Sequence, residues 1–191
     1  TRTTINYEHT EQDDVPDGGI PTVGLNGGAV KADTSKFYGS SDDFEEAKSD
    51  AFTIKFEQDI SDNTIFKNTS RYAKTNQEML LTSPFNYSTT ALTVDRRMHA
   101  RWQENEILTN QSNFSTQVQT GMLLHKISTG IELTKESQLT KNYTAQNAQI
   151  TSLYNPTNIS WDALTFSGQK SDGETTTVGA YLFDSINIGE K

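Results

Sequence analysis

Cysteine is absent from all 191 residues. That excludes disulfides, thiolate metal sites and cysteine nucleophiles at once. Long apolar runs are absent too, and none approaches the ~18 residues that a membrane helix needs. Apolar residues are scarce overall. Hydrophobic residues make up 32% and Gly numbers 12, together about 38%, below the ~45–50% usual for a soluble globular domain. Leu, Ile, Val and Phe number 39, about 20% of the chain, at the edge of the disordered range. Yet 18 aromatics are present and Asn, Ser and Thr are abundant, whereas disordered chains are usually poor in aromatics. This combination points to strands that face something other than a large private core.

A basic excess is also missing. The net charge is −9, and phosphate binding needs a basic stripe, so a nucleic-acid partner is not expected. The acidity is local. Residues 1–62 carry 14 acids and 5 bases, whereas residues 63–191 carry 11 of each. One basic knot stands out, Asp95-Arg96-Arg97-Met98-His99-Ala100-Arg101. The chain opens Thr1-Arg2-Thr3-Thr4 with no signal peptide and no initiator Met, so a trimmed protein or a piece of a longer one is expected.

What is present is period 2. Phe52, Ile54 and Phe56 alternate with Thr53, Lys55 and Glu57, and Ile127, Thr129, Ile131 and Leu133 alternate with Ser128, Gly130, Glu132 and Thr134. Both read as strands with one apolar and one polar face. Thr175 to Gly189 and Thr1 to Glu11 are strand-like with less regular faces. Thr64 to Lys74 and Arg101 to Phe114 are strand-like by their Thr, Asn, Tyr and aromatic content. Six strands are expected.

Their connections carry more information. Ser61-Asp62-Asn63 reads as a tight turn, and Gln119-Thr120-Gly121 as a short one. Three connections are long: 12–46 with Val15-Pro16-Asp17-Gly18-Gly19-Ile20-Pro21 and Gly27-Gly28, 79–97 with Ser83-Pro84-Phe85, and 141–173 with Tyr154-Asn155-Pro156. Loops above ~12–15 residues are uncommon in compact domains. Here long and short alternate, which in an up-and-down sheet puts every long loop at one end. That is the pattern of an outer-membrane β-barrel, with long outer loops and short periplasmic turns. The competing architecture is a soluble antiparallel β-sandwich, a binding module with long loops. The regular loop asymmetry and the low bulk hydrophobicity favour the barrel.

Enzyme chemistry is not expected. His9, His99 and His125 form no HxxxH or HExxH pair, and GxSxG, P-loop and GxGxxG motifs are absent. The acidic groups Glu11/Asp13/Asp14/Asp17 and Asp42/Asp43/Glu45/Glu46 have no calcium-loop spacing and read as solvated loop.

A series of segments resembles the barrels of TonB-dependent siderophore receptors, especially the catecholate branch. Tyr7-Glu8-His9 followed by Asp13-Asp14-Val15-Pro16-Asp17-Gly18-Gly19-Ile20-Pro21 is similar to that family's passage from strand to long outer loop, and Phe37-Tyr38-Gly39 continues it. Asp59 to Tyr72, Leu81-Thr82-Ser83-Pro84, Glu104 to Asn113, Ser128 to Thr134 and Gly179 to Asp184 follow in the family's order. The resemblance implies an all-β, antiparallel up-and-down transmembrane barrel segment across residues 1–191, an incomplete barrel without the plug domain or the closing strands. It implies TonB-dependent uptake of a ferric siderophore at the outer membrane of a Gram-negative bacterium. The TonB complex would be contacted through a missing N-terminal region. Iron would travel within the siderophore, with no cofactor bound to the chain itself. A ferric tris-catecholate is bulky, aromatic and trianionic, and guanidinium groups offer charge, donors and a flat stacking face. The resemblance therefore directs attention to Arg96, Arg97 and Arg101, with Phe85, Tyr87 and Trp102 as aromatic wall and Arg71 facing the lumen or paired with a neighbouring acid. Basic residues at such a rim would alternatively contact lipopolysaccharide phosphates.

Overall fold

The structure is a computed structural model that describes residues 1–22, 32–88 and 90–189. Its strands are β1 (Arg2–Asp14), β2 (Phe44–Ser61), β3 (Thr64–Ser88), β4 (Thr93–Thr120), β5 (Leu123–Tyr143), β6 (Gln149–Ser152) and β7 (Phe166–Ile188). The six long strands form one antiparallel sheet in the order β1-β2-β3-β4-β5-β7, and β6 pairs only with the start of β4. Among the described residues there is no second sheet packed against it, which removes the sandwich. All six expected strands are present, and each extends beyond its expected bounds. The extra short strand β6 lies inside the expected loop 141–173.

Two tight turns stand at one end. Ser61 pairs with Thr64 around Asp62-Asn63. Thr120 pairs with Leu123 around Gly121-Met122, where Gly121 has φ +63. Glycine takes that positive φ without a Cβ penalty. At the opposite end the connections 15–43 and 144–165 are long. The expected loop 79–97 is instead almost all strand. β3 and β4 pair up to Ser88 and Thr93, with a turn at 90–92 between them. Pro84 does not break the ladder because the register shifts between Pro84 and Asn86. An extra residue there, Phe85, forms the kind of bulge at which strand proline is tolerated. Gly27-Gly28 lie outside the described residues.

Because successive strand residues point to opposite faces, the register sorts the side chains. One face is apolar: Ile5 and Tyr7 on β1, Phe52 and Ile54 on β2, Phe66 and Tyr72 on β3, Leu108 and Phe114 on β4, Ile131 and Leu133 on β5, Val178 and Leu182 on β7. These side chains are largely exposed; Phe52 retains 43% of its surface, Leu108 52% and Leu182 71%. The other face is polar and carries the ion pairs Lys67–Glu57 at 2.9 Å and Arg71–Glu8 at 3.7 Å. Ala51, Thr53 and Ala73 on the polar face are buried while their immediate neighbours Phe52 and Tyr72 are not. The polar face is therefore the concave one.

The apolar face ends on a level line. On the side away from the tight turns, the apolar stretch of each strand gives way to a titratable residue, His9, Asp50, Lys74, Glu106, Lys135 or Glu174. These pair laterally: His9–Asp50 at 2.8 Å, Lys74–Glu106 at 3.0 Å and Lys135–Glu174 at 3.0 Å. Below the line on β5, Leu123 to Leu133 present Leu, His, Ile, Thr, Ile and Leu, with His125 tied to Asp184 at 2.7 Å. At ~3.3 Å per residue and a tilt of about 45°, such a stretch is about 25 Å tall, the height of a lipid-facing band.

Buried apolar packing lies elsewhere, at the loop end. Tyr38, Tyr87, Val94 and Leu153 form the main cluster, with Ile20 against it. It sits between the β3–β4 hairpin and the two long connections.

Candidate functional site

The basic knot lies on β4, paired with β3. Arg97 faces Ser83, His99 faces Leu81 and Arg101 faces Met79. Alternation places Arg97, His99 and Arg101 on the concave polar face and Arg96, Met98 and Trp102 on the other. The knot is therefore two sites, back to back.

On the concave face, the Arg97 guanidinium lies over the bulged Phe85 ring at 4.1 Å from its centroid. His99 Nε2 is 3.0 Å from Ser83 Oγ. Arg101 is exposed. Residues two apart on one strand are about 6.6 Å apart, so the three form a column that a large anion can touch at several points. Arg71 lies further toward the tight turns on the same face, half-exposed, with Glu8 at 3.7 Å. Arg71 faces the concave side, and the acid it meets is on β1, across β2, and not on a neighbouring strand.

On the opposite face, Arg96 is fully buried. Its Nη1 donates to Thr157 O at 2.7 Å and more weakly to Gly39 O at 3.5 Å. Its Nε and Nη2 have no hydrogen-bond partner among the described residues. Burial pushes its pKa down, and nearby Asp43 opposes that shift; a guanidinium stays charged regardless. Tyr87 is buried in the apolar cluster and exposes no ring as a wall. Trp102 sits under Lys141, with Nζ 4.3 Å from its ring, and Lys141 also lies 5.6 Å from Phe166. Of the seven residues singled out, Arg97, Arg101, Phe85 and Arg71 remain associated with the concave side. Arg96, Trp102 and Tyr87 do not.

His99 was not among those seven. Its signal was parity, since it is two residues from both Arg97 and Arg101. The acidic group Asp42/Asp43/Glu45/Glu46 is also not solvated loop throughout. Asp43 is buried, accepting from Thr82 Oγ1 at 2.6 Å and Ser40 N at 3.0 Å, and Asp42 accepts from Ser160 Oγ at 2.7 Å and Trp161 N at 2.8 Å. Glu45 and Glu46 lie in β2, and Glu11, Asp13 and Asp14 in β1.

No family model matches the chain. Individual proteins do. The chain is 33% identical, over 96% of its length, to the catecholate siderophore receptor Fiu of Escherichia coli K12. It is 27% identical, over its whole length, to the probable TonB-dependent siderophore receptor PiuA of Acinetobacter baumannii. The crystal structure of the ferric-catecholate import receptor Fiu in its open form superposes with a TM-score of 0.87 at 32% identity, covering 98% of this chain and 32% of that one. The crystal structure of PiuA superposes at 0.83 with 25% identity, covering 98% and 30%. Over nearly its whole length the chain is similar to one stretch of the TonB-dependent siderophore receptors. It spans 27% of the length of Fiu and 29% of that of PiuA.

In a TonB-dependent receptor barrel the two faces have definite meanings. The apolar face is the lipid-facing exterior, the polar face is the lumen, and the tight turns are periplasmic. The Arg97–His99–Arg101 column then lines the lumen near the outer mouth. Lys141 and Trp102 lie on the exterior above the charged line.

Proposed function

We propose that this barrel segment serves TonB-dependent uptake of a ferric catecholate siderophore across the outer membrane of a Gram-negative bacterium. The observation that carries the reading is the lumen-facing column of Arg97, His99 and Arg101 beside Phe85, in a barrel whose relatives are named as catecholate receptors. A ferric tris-catecholate presents three negative charges and aromatic faces. Guanidinium groups neutralise the charge and stack on the rings. Capture needs only this positioning and charge complementarity. Iron is the cargo, held by the siderophore and not by side chains of this chain, and no bond in the ligand is made or broken. The column supplies a local positive field in a segment whose net charge is −9, so an anionic ligand is drawn to the mouth by the patch and not by the total.

TonB would act on a plug domain within the full-length receptor and open the path through the lumen. The exterior above the charged line would meet lipopolysaccharide. There Lys141 offers a cation framed by Trp102 and Phe166.

The test is ligand binding to the full-length receptor. Arg97→Ala with Arg101→Ala should weaken ferric-catecholate binding by about 10- to 100-fold, as expected for the loss of charge-assisted contacts. An unchanged affinity would remove the column from the site. A hydroxamate siderophore, which lacks the anionic rings, should lose little.

A further inference from the structure

Arg96 and Arg97 are neighbours in sequence on opposite faces of β4, and only Arg97 reaches the lumen. Arg96 points into the seam where two outer connections meet. Segment 38–42 and segment 153–161 are about 115 residues apart in sequence, yet six hydrogen bonds join them. Ser41 and Asn158 exchange two of these, each at 2.9 Å. Asp42 takes two more, from Ser160 and Trp161. The joined pair is then fixed to the hairpin. Trp161 Nε1 donates to Thr82 Oγ1 at 2.8 Å, and Thr82 donates on to Asp43. Arg96 closes the seam by donating to one carbonyl from each segment, Thr157 and Gly39.

We propose that these two segments and the tip of the β3–β4 hairpin form one clasped body, in which Arg96 is the positioning residue that holds the Arg97–His99–Arg101 column toward the lumen. This role rests on the ligand-facing reading of that column. The physical reason is adjacency: fixing the side chain of residue 96 on one face fixes the backbone that carries residue 97 on the other. Arg96 is not a ligand contact, because it is fully buried. The clasp is also releasable. Among the described residues no carboxylate lies within ion-pair distance of Arg96, and two of its nitrogens have no hydrogen-bond partner. Burying a charge on carbonyl acceptors alone works against closure, so the bonds between the two segments hold it shut.

The test uses full-length receptor in detergent, with hydrogen exchange and ferric-catecholate binding measured on the same samples. Arg96→Met should raise amide exchange in both 38–42 and 153–161 and weaken binding by about tenfold, the loss of one charge-assisted anchor. Arg96→Lys, which keeps a donor for Thr157, should recover part of both. Asn158→Ala, on the exposed side of the seam, should raise exchange in both segments without touching β4, which keeps the test open should Arg96→Met not fold. If either variant loosens only the segment it touches, the single clasped body is wrong. If Arg97→Ala weakens binding while Arg96→Met leaves affinity intact, the positioning role is wrong. If Arg97→Ala itself has no effect, the underlying ligand site fails, and the exchange data alone judge the clasp.

Discussion

The Tyr181 ring lies across Gly130. The two are direct cross-strand partners on β7 and β5, on the lumen face. A Cβ on Gly130 would stand 2.5 Å from Tyr181 Oη, 2.6 Å from its Cζ and 2.5 Å from the Ser112 carbonyl oxygen. An aromatic ring covering a bare glycine backbone is a recognised way to keep a strand in register where a side chain would not fit. The phenol is held in turn by Asn113 Nδ2, which donates to it at 2.8 Å. Gly130→Ala should therefore destabilise the barrel by about 1–3 kcal/mol, the usual cost of overpacking, because the Ser112 backbone has nowhere to retreat. Tyr181→Phe removes one hydrogen bond and should cost about 1 kcal/mol, since Asn113 keeps Ser128 Oγ at 3.0 Å. Both are read from the heat-modifiable gel shift of the folded receptor, titrated with urea. Equal loss in the two variants would contradict this account.

Adjacent positions on one strand should respond oppositely to the same charge. Ile131 lies in the upper half of the lipid-facing band and Glu132 is in the lumen. Ile131→Arg should cost about 1–3 kcal/mol, between the midplane and interface costs of a lipid-facing cation, and should reduce the folded receptor in the outer membrane. Glu132→Arg should assemble normally. The mirrored result would mean that the faces are assigned the wrong way round.

Phe85 offers a sharper test, because it is an extra residue in the ladder. Pro84 pairs with Arg96 and Asn86 with Asp95, so β4 has no partner for Phe85. Deleting Phe85 together with Pro84→Thr closes the bulge and removes the proline that the bulge accommodates, without changing the pairing of Tyr87 with Val94 or of Ser83 with Arg97. The deletion should therefore fold and keep the Tyr38–Tyr87–Val94–Leu153 cluster, yet match Phe85→Ala in its weakened ferric-catecholate binding. Deleting Thr69 from the regular part of β3 inverts every side chain on one side of the cut and should abolish assembly. Assembly is scored by the gel shift, and affinity by equilibrium binding.

The contrast between Phe85 and Arg96 shows how far the sequence could be read. β2 and β5 were visible because Phe52, Ile54 and Phe56, and Ile127, Ile131 and Leu133, repeat with the period of a strand that meets lipid on one side. The alternation of long and short connections placed both tight turns at one end. The upper β3–β4 hairpin was hidden because Ser83-Pro84 reads as a turn, and only the bulge makes that proline compatible with a ladder. Arg96 was grouped with Arg97 because both are basic and adjacent, although alternation alone separates them. Its burial could not be read at all. Its acceptors Gly39 and Thr157 lie 57 and 61 residues away, in connections whose own sequences carry no period. Asp42 and Asp43 escaped for the same reason: an acidic run looks solvated until its donors are located.

The lipid-facing surface carries an amide-rich polar seam, and its members should prove strongly coupled. Asn68 Nδ2 donates to Ser112 Oγ at 2.8 Å and to Asn110 Oδ1 at 3.2 Å, and Asn110 Nδ2 donates to Ser70 Oγ at 2.7 Å. These residues share the face of Ile54, Phe56 and Ile131. Apolar surroundings strengthen a satisfied amide pair and penalise a widowed one. Asn68→Ala or Asn110→Ala alone leaves the partner amide short of a bond, and each should cost about 1–2 kcal/mol. The double variant removes both amides together, so its cost should fall short of the sum by about 1 kcal/mol. The cycle is measured by urea titration of the receptor in lipid vesicles. Strict additivity would show that the two amides are solvated independently and that the seam contributes nothing as a unit.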